Sequence, residues 1–175
     1  MILTRDQILS AIQTHEIIID PFDINALEAA SYNVTLASKI RVFREGLNEI
    51  NVTEIAMGTN GLKDITTVVE IPRKGYYLLK PGELVLGMTV EKITLPQDVA
   101  AWLQGRSRFA RMGLMVHITA SFIQPGISNR QVFEIYNASR NAIKLEAGAR
   151  IAQLIFERCE GKAKYEGIFA SQTDI

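Results

Sequence analysis

The 175-residue chain predicts an all-β fold, as a sandwich, a jelly roll or a distorted barrel. Three observations carry that reading. Short β-branched or alternating runs recur at near-regular spacing, turn signals separate them, and only the N-terminus has a sustained helical pattern. The length suits one domain, residues 1–175, with a sizeable core. Residues 161–175 have the polar, Gly- and Ser-containing composition of a mobile tail.

Thr4-Arg5-Asp6-Gln7 has the capping-box pattern, and Ile8, Ala11 and Ile12 then share one helical face, so a helix is predicted over 4–15. Ile17-Ile18-Ile19 before Asp20-Pro21 predicts a strand and then a turn. Two strands are predicted within 31–43. Others follow over 65–71, 76–79, 84–95, 99–103, 114–120, 131–137, 142–145 and 150–158. Turn signals separate them at Pro72, Lys80-Pro81-Gly82, Pro96, Pro125-Gly126, 137–141 and Ala147-Gly148. Residues 51–63 are weakly patterned and fit a loop or a short helix. The chain has no internal repeat.

Lysine plus arginine equals aspartate plus glutamate, at 19 each. That balance argues against a nucleic-acid polymer or an anionic membrane surface as partner. The one cysteine, Cys159, has no internal disulfide partner, and zinc sites built on paired thiolates are excluded. No apolar run spans a bilayer, and Met-Ile-Leu-Thr-Arg-Asp does not read as a signal peptide. A soluble, cytoplasmic location is the expectation.

The most informative stretch is Gly105-Arg106-Ser107-Arg108-Phe109-Ala110-Arg111-Met112-Gly113. It places three arginines, a hydroxyl and a flexible glycine where a short helix should start. From Val99 to Phe133 the only ionised side chains are Arg106, Arg108, Arg111 and Arg130, and Glu134 follows. Guanidinium forks and helix-start N–H groups both suit a phosphate. Gly105 is expected to let the backbone approach a ligand, and Gly113 to end the helix in the left-handed conformation. On spacing alone, a surface helix with solvated arginines accounts for the pattern equally well.

Glu134 sits in a strand where alternation puts Val132, Glu134 and Tyr136 on one face and Phe133 and Ile135 on the other. Apolar neighbours would desolvate its carboxylate, raise its pKa and make it a proton acceptor. A Glu on a solvent-facing strand is the plainer alternative. His117 reads as a hydrogen-bonded core residue, since the only other histidine is His15. Ile118-Thr119-Ala120-Ser121 suits either a pocket lining or an ordinary strand-to-turn junction.

The run from Gly105 to Ala120 resembles the core of the dCTP deaminases, of the trimeric dCTP deaminase/dUTPase superfamily. The likeness continues through Ile123-Gln124-Pro125-Gly126 and Val132-Phe133-Glu134-Ile135-Tyr136-Asn137. It extends to Gly148-Ala149-Arg150-Ile151-Ala152-Gln153-Leu154-Ile155-Phe156, a block shared with the dUTPases. Ala30-Ser31-Tyr32-Asn33-Val34-Thr35-Leu36 is similar to an early family motif.

This resemblance implies a dUTPase-like distorted jelly roll or β-barrel, with an N-terminal helix and one short internal helix. It implies a homotrimer acting on a deoxynucleoside triphosphate (dCTP, with dUTP or dTTP as other ligands) and magnesium bound through the phosphates, without zinc. By position, Arg106 and Ser107 match the phosphate-binding pair, and Ser107 is also a candidate catalytic residue. Arg111 matches the arginine that orients water and the carboxylate. Glu134 matches the glutamate that activates water for attack on C4 of cytosine. The 118–120 backbone, at Ile118, Thr119 and Ala120, matches groups that hold the water and read the base. Gln153, Lys164 and Tyr165 fall on substrate-binding motifs. The chain differs from the family pattern at Asn33, Phe122, Gln124, Ile127 and Ile168, with Gln172 a possible stand-in for the glutamine absent at 168. Two other readings stay open: a dUTPase-type nucleoside triphosphate pyrophosphatase, and a non-catalytic nucleotide-binding homologue. Gln124 opposes the former, because an amide does not take a proton from water at neutral pH.

Overall fold

The computed structural model describes residues 1–46, 49–53 and 61–175. Most of the weakly patterned stretch at 51–63 lies outside the described residues. Helix α1 (Arg5–Gln13) buries Ile8 and Ala11, the face that the apolar spacing marks. Strand β1 (Ile18–Asp20) ends at Pro21, and a single 3₁₀ turn covers Ile24–Ala26. Strands β2 (Tyr32–Val34) and β3 (Lys39–Phe43) follow, then a one-turn helix α2 (Leu62–Ile65) that the periodicity did not resolve. Next come β4 (Thr66–Glu70), β5 (Tyr77–Leu79), β6 (Leu84–Thr94) and β7 (Val99–Gly105). Helix α3 (Ser107–Ala110) is the expected short helix in the arginine segment. The chain is completed by β8 (Leu114–Val116), β9 (Phe122–Ile123), β10 (Ser128–Asn137), β11 (Ile143–Leu145) and β12 (Ala152–Arg158).

Every strand pair is antiparallel, as turn-connected short strands require. One sheet has the order β4-β3-β6-β10-β8, with β1 also on β6; the second has β2-β12-β7-β9; β11 pairs with β5. The long β6 serves three partners because β10 runs along one of its edges from Leu84 to Thr94, while β3 takes the first part of the other edge and β1 its last residues. The register of β10 on β6 shifts between Arg130 and Val132. The bulged Gln131 N–H does not go unpaired, since it donates to Thr89 Oγ1 at 2.9 Å. Tyr32, Leu103, Leu154 and Phe156 from one sheet meet Ile40, Val85, Phe133 and Ile135 from the other in a shared core, all fully buried. The result is the jelly-roll-like β fold that the sequence predicts. Burying each such side chain contributes roughly 1.5–3 kcal/mol.

The segment after Arg158 runs back over the body of the protein. Ala163 N donates to Gln97 O, Tyr165 N to Pro125 O, Ser128 N to Ala170 O and Arg130 N to Gln172 O. The last two use the start of β10, the strand that carries Glu134.

Candidate active site

Strand alternation on β10 is as read: Phe133 and Ile135 are fully buried, while Val132, Glu134 and Tyr136 face outward and are partly exposed. What caps Glu134 is the end of β8. The predicted strand over 114–120 stops at Val116, because His117 takes a left-handed φ of 61° and turns the chain. His117 N donates to Glu134 O at 2.7 Å, and His117 Nε2 is 2.7 Å from Ala120 O. His117 is therefore a partly buried turn residue.

The turn aims three donors at one carboxylate. Ile118 N and Thr119 N lie 2.8 and 2.7 Å from Glu134 Oε2, and Thr119 Oγ1 lies 2.8 Å from Oε1. Here the structure corrects the sequence expectation for Glu134. Burial does push its pKa up, but the Thr119 N–H and hydroxyl, the Ile118 N–H and the nearby His117 together hold it below the ordinary value. Around the carboxylate, Phe43, Leu84, Leu86, Val132 and the 117–120 turn enclose an apolar cleft of about 440 Å³. Phe43, Leu84 and Leu86 were not candidates from sequence. Their signal was the register, since Leu86 pairs with Glu134 across β6 and β10 and with Arg41 across β3.

Arg106 and Ser107 lie in a second cleft, of about 450 Å³, with Glu28, Ser31, Asn33 and Gln153. Strand β12 supplies Gln153, whose amide is fixed at both ends: Ser31 Oγ donates to its Oε1 at 2.8 Å, and its Nε2 donates to Gly105 O at 3.2 Å. Arg106 Nη1 donates to Arg150 O at 2.7 Å, and Nη2 lies 3.8 Å from Glu28 Oε1. Burial and then the charge of Arg108 lower the Arg106 pKa, with Glu28 opposing. Ser107 is exposed at the start of α3. Gly105 has a reason within the chain itself. A Cβ there would stand 3.2 Å from Val116 O, so the close approach is to backbone of the same chain. Gly113 has φ 84°, as a helix-ending glycine should.

The two clefts share no lining residue, and a shallow groove lined by Ser107, Gln153, His117 and Ile118 runs between them. One chain thus joins Arg106, Ser107 and Gln153, and separately joins Glu134, Ile118, Thr119 and Ala120. It does not bring Arg111 to Glu134: Arg111 is exposed, and among the described residues the two form no ion pair. Lys164 and Tyr165 pack at Pro125-Gly126 and line neither cleft. Of the positions that depart from the family pattern, Ile127 is core, Phe122 packs edge-on against Trp102, and Ile168 is exposed. Gln172 is tied to Asp174 O and to Arg130 N through its own carbonyl. Among the described residues, no three His, Cys, Asp or Glu side chains cluster to hold a metal, and no helix is long and apolar enough to cross a membrane.

A dUTPase-like β fold with a basic cleft and a capped carboxylate defines the class. The chain belongs to the dCTP deaminase-like family, whose model matches residues 2–159. It is 37% identical over 165 residues to a dCTP deaminase of Shewanella sp. (strain ANA-3), covering 92% of this chain and 86% of that one. To a dCTP deaminase of Shewanella baltica (strain OS155) it is 36% identical over 162 residues, covering 90% and 84%. Among solved structures, the 2'-deoxycytidine 5'-triphosphate deaminase of Agrobacterium tumefaciens superposes with a TM-score of 0.67 at 20% identity. That match covers 89% of this chain, which spans 47% of the length of that structure. A mutant dUTPase from phage phi11 of S. aureus, in which a structural Mg(II) ion is coordinated, matches at TM-score 0.50 and 12% identity, over 87% of this chain and 96% of that one. At these identities the two structures speak to the fold.

Proposed function

We propose that the protein deaminates dCTP hydrolytically, giving dUTP and ammonia. The observation that carries this reading is the Glu134 carboxylate, held by Ile118 and Thr119 at the mouth of an apolar cleft. An apolar slot with one oriented carboxylate suits a flat base and a single activated water. Glu134 is ionised near neutral pH and takes a proton as the water oxygen bonds to C4 and the C4=N3 π pair moves onto N3. That pair then re-forms the C4=N3 bond as the amino group leaves as ammonia with the proton that Glu134 returns, and the 4-hydroxyl proton moves to N3 to give the uracil base. A base seated over the cleft excludes water and raises the basicity that the three donors lower. Zinc has no part in this proposal, and the composition supports that: the chain has two histidines and one cysteine, against the His-x-Glu and Pro-Cys-x-x-Cys set of zinc deaminases.

The triphosphate would lie on Arg106 and Ser107. A magnesium ion carried by the phosphates supplies charge neutralisation there, and the oxygens of Glu28, Ser31 and Gln153 fit a hard, hydrated cation. The separation of the two clefts on one chain, with Arg111 exposed and lining neither, supports a trimer whose sites form between copies. The proposed setting is pyrimidine deoxynucleotide metabolism in the cytoplasm.

The test is product identity over a panel of nucleotides, with light scattering for the assembly. Ammonia from dCTP, and its loss by at least about a hundredfold in Glu134→Gln with binding kept within a few-fold, is the expected result. Pyrophosphate from dUTP without ammonia from dCTP would replace deamination by phosphohydrolysis. Binding without either product would leave a nucleotide-binding protein. Full turnover in Glu134→Gln would remove the water-activating role.

A further inference from the structure

Strands β3 and β4 gather two arginines on one threonine. Arg41 Nη1 donates to Thr66 Oγ1 at 3.0 Å, and Arg44 Nε donates to Thr66 O at 3.3 Å. Arg44 Nη2 also donates to Lys63 O, in α2, at 3.2 Å. Among the described residues no carboxylate stands within ion-pair distance of either guanidinium, Glu45 beside Arg44 included. Arg41 is only 7% exposed. A guanidinium keeps its charge inside a protein, so Arg41 is a buried cation with a second cation near it and no counter-charge. That arrangement is costly until an anion joins it. The unused Arg41 N–H groups are not sealed in: among the described residues, the buried side-chain atoms left without a partner are Asn33 Oδ1 and His117 Nδ1. Arg44 is exposed, so the pair opens to solvent on that side.

We propose that Arg41 and Arg44 form an oxyanion site for a phosphate group, as free phosphate or as the phosphate of a nucleotide. Two guanidinium forks suit phosphate oxygens, and two positive charges match a doubly charged phosphate better than a single carboxylate. Thr66, 1% exposed, gives both arginines a rigid base. The site is distinct from the Arg106 cleft, whose lining includes neither arginine. Arg41 pairs with Leu86, which pairs on its other side with Glu134. A bound anion would thus brace β3, the strand that brings Phe43 to the wall of the Glu134 cleft. The inference does not depend on the deaminase reading.

The experiment follows Tm of the full chain against inorganic phosphate, at constant ionic strength held with chloride. Wild type should gain Tm as phosphate binds the folded state, and Arg106→Ala should gain as much. In Arg41→Met the phosphate affinity read from the gain should fall roughly tenfold or more, the scale of one charge-assisted bond. Arg41→Lys keeps the charge without the fork and should fall between the two. Arg44→Met, changed at the exposed member, should also reduce the gain, and it carries the test if Arg41→Met does not fold. The same series with dCMP, on the Arg106→Ala background, separates the two sources. A gain with dCMP alone, lost in Arg41→Met, assigns the phosphate of a nucleotide. No gain with either probe overturns the inference, and so does a gain that survives both Arg41→Met and Arg44→Met. A phosphate gain lost in Arg106→Ala overturns it too, by placing the ion in the Arg106 cleft.

Discussion

Glu134 and Thr119 are joined twice, backbone N–H to Oε2 at 2.7 Å and hydroxyl to Oε1 at 2.8 Å, so one residue fixes both oxygens of the carboxylate. The pairing sets the plane of the carboxylate and its proton affinity together.

Removing the hydroxyl should separate those two effects. In Thr119→Ala the backbone bonds remain but one donor to the ionised form is lost, so the Glu134 pKa should rise toward its ordinary value. If Glu134 is the base, activity needs it ionised. The acid limb of kcat/KM in wild type should then lie below pH 4.5, the ordinary value, and should move up in the variant. A limb that stays in place would show that Thr119 does not tune this group.

Arg106→Ala and Ser107→Ala should weaken triphosphate binding while leaving deoxycytidine binding nearly unchanged. Each lost charge-assisted bond should cost about 1.5–3 kcal/mol in titration calorimetry. Equal losses for nucleotide and nucleoside would place both residues away from the phosphates.

Gly113→Ala should destabilise the protein by more than about 1 kcal/mol. Its φ is 84°, and an added Cβ would stand 2.7 Å from Ser139 Cβ and 2.9 Å from Ser139 N. Thermal unfolding measures the loss. An unchanged Tm would mean that the turn after α3 relaxes freely.

Arg158 grips Glu16 with both amines, Nη2 to Oε2 at 2.8 Å, and ties the end of the α1 turn to β12. That hydrogen bond holds the Glu16 pKa below its ordinary value. A carboxylate with a depressed folded-state pKa stabilises above its unfolded pKa, and the contribution is lost as pH falls through the folded one. Arg158→Met should therefore lower Tm at neutral pH by the equivalent of about 0.2–1 kcal/mol and reduce the loss of stability below pH 4.5. Parallel Tm-against-pH curves for the two proteins would contradict this.

The β class, most strand positions, the α3 helix and the facing of Glu134 are legible in the residue order alone. These depend on neighbours a few residues apart, through two-residue alternation, caps and turn residues. It also brought out Arg106, Ser107 and Glu134, since local composition and motif are carried by contiguous residues. Two-residue β9 and one-turn α2 were too short to leave a period. What those side chains meet follows from how the sheets pack. The left-handed turn at His117 puts Ile118 and Thr119 on Glu134, so hydrogen bonds outweigh the desolvation that the strand pattern implied. The tight approach of Gly105 to Val116 O comes from the fold, and Glu28 and Arg106 meet across a sheet in which β12 sits between β2 and β7. Contacts between distant segments are set by strand register and sheet order, and those are properties of the whole packed chain.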